Sequence, residues 1–274
     1  MSRSRVTGHE LRVTADPKPE TRDGGLQKHR VKDVVLLHGW GITSGIWKDL
    51  AAPLATQYRV HAWELPGYGA SPACSPYTLD AMVGVLAQAA PERCQVVGWS
   101  LGGLVALAWA RAAPQQAMRL ALIAATPCFT QRADWPQAVE ADVLTTFARD
   151  LARNRRRTLQ RFASLQARGD SKAAEVTRRL RAALAAGDEA DAGALDGGLE
   201  ILLETDLRQE LASITQQALV VHGDRDELVP LAAAGYLARR LPAARLVVLH
   251  GAAHAPFLSQ PRATAAVLRE FLDD

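Results

Sequence analysis

Ser100 sits in Gly98-Trp99-Ser100-Leu101-Gly102, a serine with a glycine two residues away on either side. This spacing suits a nucleophile carried on a tight turn, where glycine tolerates conformations and close approaches that other residues resist. A serine hydroxyl needs a base to take its proton and a third group to orient that base. Both are found downstream: Asp226 in His222-Gly223-Asp224-Arg225-Asp226-Glu227-Leu228-Val229-Pro230, and His254 in Gly251-Ala252-Ala253-His254-Ala255-Pro256-Phe257. The order Ser, Asp, His makes Ser100 the nucleophile, His254 the general base and then acid, and Asp226 the group that fixes the imidazole tautomer. Asp224 is a rival for the acid, but its place nearer the preceding strand suits a loop tie better. His38 is a rival base whose His-Gly turn favours bracing the backbone. His61, His222 and His250, in or beside apolar runs, read as structural. An oxyanion would need two backbone amides, which Leu101 and Trp40 can supply. The Trp40 indole reads equally as a wall of the site or a core aromatic at a strand end. No cluster of His, Cys or carboxylates has metal-binding spacing, and Gly39 to Gly45 lacks the Lys-Ser/Thr ending of a phosphate loop. No metal and no cofactor is expected.

Elements that could position these residues alternate along the chain. Val34 to Leu37 reads as a buried strand running into His38-Gly39-Trp40-Gly41, and Tyr58 to Leu65 as a second running into Pro66-Gly67-Tyr68-Gly69-Ala70-Ser71. Leu79 to Ala89 reads as helix, Gln95 to Val97 as strand, the segment after Ser100 as helix to about Ala112, and Leu120 to Ala124 as strand. From about Gln131 to Glu204 only helical signals occur, broken at Gly169, Gly187, Gly193 and Gly197-Gly198. Strand and helix then alternate again: Leu219 to Val221, Leu231 to Arg240, Leu246 to Leu249, and a last helix from Pro261 to Leu272. The expected fold is α/β, a mostly parallel central sheet with helices on both faces, reactive loops at the carboxyl ends of the strands and an inserted helical lid. The expected boundaries are a flexible leader at 1–30 with one strand near His9 to Ala15, a core at 31–130 and 206–274, and a lid at 131–205.

With 274 residues and 48% hydrophobic content, the chain can form one large core plus an insertion. Its net charge of +3 and the lack of basic runs interleaved with stacking aromatics argue against a nucleic-acid partner. Cys74, Cys94 and Cys128 lack paired spacing and read as buried small hydrophobes in a reducing compartment. No stretch approaches a membrane span, so a cytoplasmic monomer away from membranes is expected. The charge is unevenly placed. From Leu151 to Arg181 ten cations face Asp170 and Glu175, a local +8 that leaves −5 on the rest of the chain. Such a strip can be an ordinary solvated helix face, or it can steer a strongly acidic partner.

Taken together, His38-Gly39-Trp40-Gly41, Glu64 to Ser71, the serine turn, Asp226 and His254 resemble the α/β-hydrolase superfamily over nearly all of residues 33–274. Within it, several further segments resemble the pimeloyl-acyl-carrier-protein methyl ester esterases of biotin synthesis. These are Gly98 to Ala106, Thr126-Pro127-Cys128-Phe129, Asp134-Trp135-Pro136, Arg161-Phe162 with Leu165-Gln166, and Gly197 to Leu202 with Asp206-Leu207-Arg208-Gln209. The resemblance implies hydrolysis of the terminal methyl ester of pimeloyl-acyl-carrier protein to methanol and the free carboxylate, with the carrier thioester retained. It puts substrate contacts at Trp40, Ser100, Leu101, His254 and the run Phe162, Ala163, Ser164, Leu165, Gln166. It puts carrier docking at Arg157, Arg161 and Arg178, then Arg155, Arg156 and Arg179. The chain departs from the pattern at Glu64, where the superfamily usually has Asp, and in its longer leader. A short-chain carboxylesterase or a carbon–carbon bond hydrolase would use the same triad, and a non-catalytic ligand receptor would share the fold.

Overall fold

Val34 to Leu37 alternate their side chains between two apolar layers, which is why a strand with no polar residue after Asp33 can stand in the middle of the molecule. The computed structural model describes residues 31–186 and 190–274; the expected leader with its strand near His9 to Ala15, and the break at Gly187, lie outside them. Six strands form one sheet in the order β2-β1-β3-β4-β5-β6. They are β1 (Asp33–Leu37), β2 (Arg59–Trp63), β3 (Cys94–Trp99), β4 (Ala117–Ile123), β5 (Gln217–Gly223) and β6 (Ala244–Leu249). Neighbouring strands of this sheet all pair parallel.

Register then decides where the chemistry collects. Leu37 at the end of β1 lies beside Gly98 of β3, Trp99 beside Ile123 of β4, and Gly223 of β5 beside Leu249 of β6. The loops carrying Trp40, Ser100, Asp226 and His254 therefore leave one rim of the sheet. The order of strand addition reverses at β1, with β2 laid on one side and β3 onward on the other, and this is the switch point where open α/β sheets form their crevice.

One face of the sheet packs on α2 (Leu79–Ala89), α3 (Leu101–Ala112) and α8 (Leu231–Arg240). The other packs on α1 (Lys48–Leu54) and α10 (Pro261–Asp273). Between β4 and β5 lie α4 (Ala141–Arg153), α5 (Arg155–Gln166), α6 (Ala173–Ala186) and α7 (Ala192–Glu204), and a short helix, α9 (Pro256–Ser259), precedes α10. The insert straddles the rim, since α4 and α7 bury residues with the first core layer and α5 and α6 with the second.

Three local expectations need correction. Helix α7 runs through Gly193, Gly197 and Gly198 instead of breaking there. The latter two glycines serve packing, because a Cβ on Gly197 would fall 2.4 Å from the Tyr77 ring and one on Gly198 2.7 Å from Trp40 Cδ1. Ala124 is not strand but a residue at φ +46 just beyond β4. Cys74 is only partly buried, whereas Cys94 and Cys128 are buried, and burial with nearby Asp33 pushes the Cys94 thiol up to about 12. Among the described residues no helix is long and apolar enough to cross a membrane, and no group of three His, Cys, Asp or Glu could hold a metal ion.

Candidate active site

Ser100 lies between β3 and α3 at φ +54, ψ −116, a strained conformation for a residue with a side chain. Glycines make the turn possible, since a Cβ on Gly98 would fall 2.2 Å from the Gly102 carbonyl oxygen and one on Gly102 2.3 Å from the Leu37 carbonyl oxygen. The Ser100 amide donates to Ile123 O at 3.0 Å, so β4 pins the turn from its open side.

His254 is buried, with Nε2 3.0 Å from Ser100 Oγ and Nδ1 2.8 Å from Asp226 Oδ2. The other carboxylate oxygen of Asp226 accepts the Leu228 and Val229 amides, both at 2.9 Å. Those donors hold the carboxylate in one orientation. The Trp99 indole donates to His254 O at 2.8 Å and braces the histidine from the serine turn.

Asp224 does not reach His254. It accepts from His250 Nδ1 at 2.9 Å and from the Gly251 amide at 2.7 Å, tying the two loops together. His250 and then the Gly251 amide hold its carboxyl below the usual carboxylate range. The His38 ring makes no hydrogen bond to Ser100. Its Nδ1 lies 2.9 Å from Gly39 O, and its Nε2 3.0 Å from the Leu65 amide and 3.2 Å from Glu64 Oε2. Glu64 also accepts from the amide and hydroxyl of Ser44. Burial opposes its charge, but the neighbouring His38 ring and the Ser44 donors outweigh it and keep the Glu64 carboxyl low. The glutamate thus stitches the turn after β2 to the loop after β1. His222, fully buried beneath Asp226, has Nε2 2.8 Å from Val229 O, and burial lowers its pKa.

Among the described residues the amides of Trp40 and Leu101 have no acceptor. Leu101 opens α3, where a free N–H and the positive end of the helix dipole favour an anion. The Trp40 indole donates to Leu195 O in α7 at 2.9 Å and meets Phe147 and Phe162 edge-on at 5.5 and 5.3 Å. The side chain is both core aromatic and link to the insert. Tyr68, buried under this loop, accepts the Gly41 amide at 3.3 Å. Nothing in the local pattern singles it out beyond its place in the Pro66-Gly67 turn.

The run 162–166 divides. Phe162 meets Trp40, and Gln166 O accepts the His254 amide at 3.2 Å while its own buried Nε2 has no partner among the described residues. Ala163 is buried in the second core layer, Ser164 accepts from Arg181 at 2.9 Å, and Leu165 is exposed. Arg156, Arg157, Arg161 and Arg178 are exposed. Arg161 pairs with Asp150 at 3.2 Å, and Arg179 is tied inward to Leu258 O and Asp49.

The alpha/beta hydrolase family model matches residues 34–267. Two relatives named pimeloyl-acyl-carrier-protein methyl ester esterase are each 44% identical to the chain. The one from Nitrosomonas europaea aligns over 84% of this chain and 91% of its own, and the one from Aromatoleum aromaticum over 87% and 97%. The chain belongs to this esterase family of the alpha/beta hydrolases. An esterase structure from Exiguobacterium antarcticum superposes on the same fold with a TM-score of 0.80 at 24% identity, covering 89% of this chain and 92% of that one. The family's fold accounts for a serine on a turn after β3, an acid after β5 and a histidine after β6.

Proposed function

We propose that the protein hydrolyses the terminal methyl ester of pimeloyl-acyl-carrier protein in the cytoplasm, releasing methanol and leaving the carrier thioester intact. In this reading residues 131–205 form a lid over a core of 31–130 and 206–274. Ser100 attacks the distal ester carbonyl while His254 Nε2 takes its proton. The Trp40 and Leu101 amides receive the oxyanion, and His254 then protonates departing methanol. Water, activated by the same histidine, releases the carboxylate. Asp226 holds the ring and stabilises its cation throughout. The observation that carries the reaction class is the hydrogen-bonded series Ser100–His254–Asp226 beside two amides with no acceptor.

The substrate assignment draws on the activity for which these relatives are named and on the arginines. Arg155, Arg156 and Arg157 occupy the first turn of α5, which has no acidic residue. Three cations at the positive end of a helix dipole are unfavourable by about 0.3–1 kcal/mol each unless an anion answers them. An acidic carrier docked on Arg157, Arg161 and Arg178 would do so, with Arg155 and Arg156 beside them. Its tethered chain would then enter methyl end first past Trp40, Phe162 and Gln166, and the distal carbonyl alone would reach Ser100. The test is hydrolysis of the carrier-bound methyl ester by wild-type protein and by Ser100→Ala. The reading requires turnover that vanishes in the folded variant; activity surviving without the hydroxyl would overturn it.

A further inference from the structure

The turn joining α5 to α6 touches both loops that carry the acid and the base. Asp170 is 7% exposed and uses both carboxylate oxygens. Oδ1 accepts the Lys172 amide at 2.8 Å, a local turn closure; Oδ2 accepts the Ala253 amide, also at 2.8 Å, from 83 residues away. Ala253 immediately precedes His254. Two more bonds join the same segments, His254 N to Gln166 O at 3.2 Å and Ser171 N to Gly251 O at 2.8 Å. On the acid side Arg168 pairs with Glu227, next to Asp226. Gly169, at φ +86, comes so close that a Cβ would stand 2.8 Å from Arg225 O.

From this geometry we infer that Asp170 is a positioning residue for the hydrolysis, holding the His254 loop so that the imidazole stays in line between Asp226 and Ser100. The inference rests on the assignment of His254 as general base. Closing the α5–α6 turn needs one acceptor oxygen, and a buried carboxylate is costly unless its oxygens are bonded. The second oxygen is committed to the loop of the base. A proton acceptor that must meet both serine and acid loses rate steeply when displaced by a fraction of an ångström.

The experiment is steady-state kinetics of Asp170→Asn and Asp170→Ala on a small soluble ester and on the carrier-bound methyl ester, with thermal melts on each protein. The expected result is a kcat lowered about tenfold or more on both esters with KM unchanged, and a larger loss for Ala than for Asn, which keeps one acceptor oxygen. Wild-type kcat in the folded variants, whatever happens to KM or the melting temperature, overturns the inference. Should Asp170→Ala not fold, Asp170→Asn decides on the same criterion. The small ester separates this inference from the substrate assignment: wild-type protein inert towards the carrier-bound ester but active on the small one would sink the proposed substrate and leave the Asp170 comparison to stand.

Discussion

Asp224 and Asp226, two residues apart on one loop, have different neighbours. Asp226 is buried against His254, while Asp224 bonds His250 and Gly251 at the surface. Asp226→Asn should lower kcat by about 10⁴ without loss of fold, because the imidazole is then left in the wrong tautomer. Asp224→Asn should keep kcat within the same order of magnitude, and steady-state rates on a soluble ester distinguish the two. His222 gives a pH prediction. Burial lowers its folded-state pKa, so the unfolded chain binds a proton that the folded protein refuses. Its contribution to stability is complete above its unfolded value near 6.5 and is lost as pH falls below that, with a slope of at most about 1.4 kcal/mol per pH unit. Urea midpoints measured at neutral and mildly acid pH should converge less for wild type than for His222→Asn, which lacks this proton; an identical acid loss in both would contradict it.

At the scale of elements, α5 places its arginines against its own dipole. Arg157→Glu should leave the melting temperature unchanged or slightly higher while slowing hydrolysis of the carrier-bound ester and sparing a small one. Equal losses on both esters would assign Arg157 to folding instead. The strands and helices that position Ser100 were legible in the sequence because β1 is apolar after Asp33, β3 carries Val96-Val97 just before the turn, and α3 follows a Gly-flanked serine. Helix α1 was not legible, being short and carrying Pro53, and the continuity of α7 was hidden by glycines whose purpose is contact with Tyr77 and Trp40. That Ser100, His254 and Asp226 would meet could be expected from residue type and order. The contacts of Tyr68, Glu64 and Asp170 could not, since each depends on a partner brought near only by the fold.

For the whole molecule, the relevant quantity is how charge is distributed relative to the rim that holds Ser100. The sequence puts +8 on 151–181 and −5 elsewhere, but Arg161, Arg168 and Arg179 are each matched by an acid from a neighbouring element. The cations left facing outward, among them Arg156, Arg157 and Arg178, lie on the two helices that flank the α5–α6 turn. Raising ionic strength should therefore slow turnover of the carrier-bound ester, whose encounter is steered, more than that of a neutral soluble ester. Under the proposed docking, selectivity between two acyl bonds on one substrate would be a matter of reach, because the thioester would stay at the docked end of the chain. The most direct measurement is the intact mass of pimeloyl-acyl-carrier protein methyl ester after incubation with the purified protein. The expected product is carrier lighter by one methylene, its pimeloyl thioester still attached; carrier returned with a free thiol, or unchanged, would contradict positional cleavage of the distal ester.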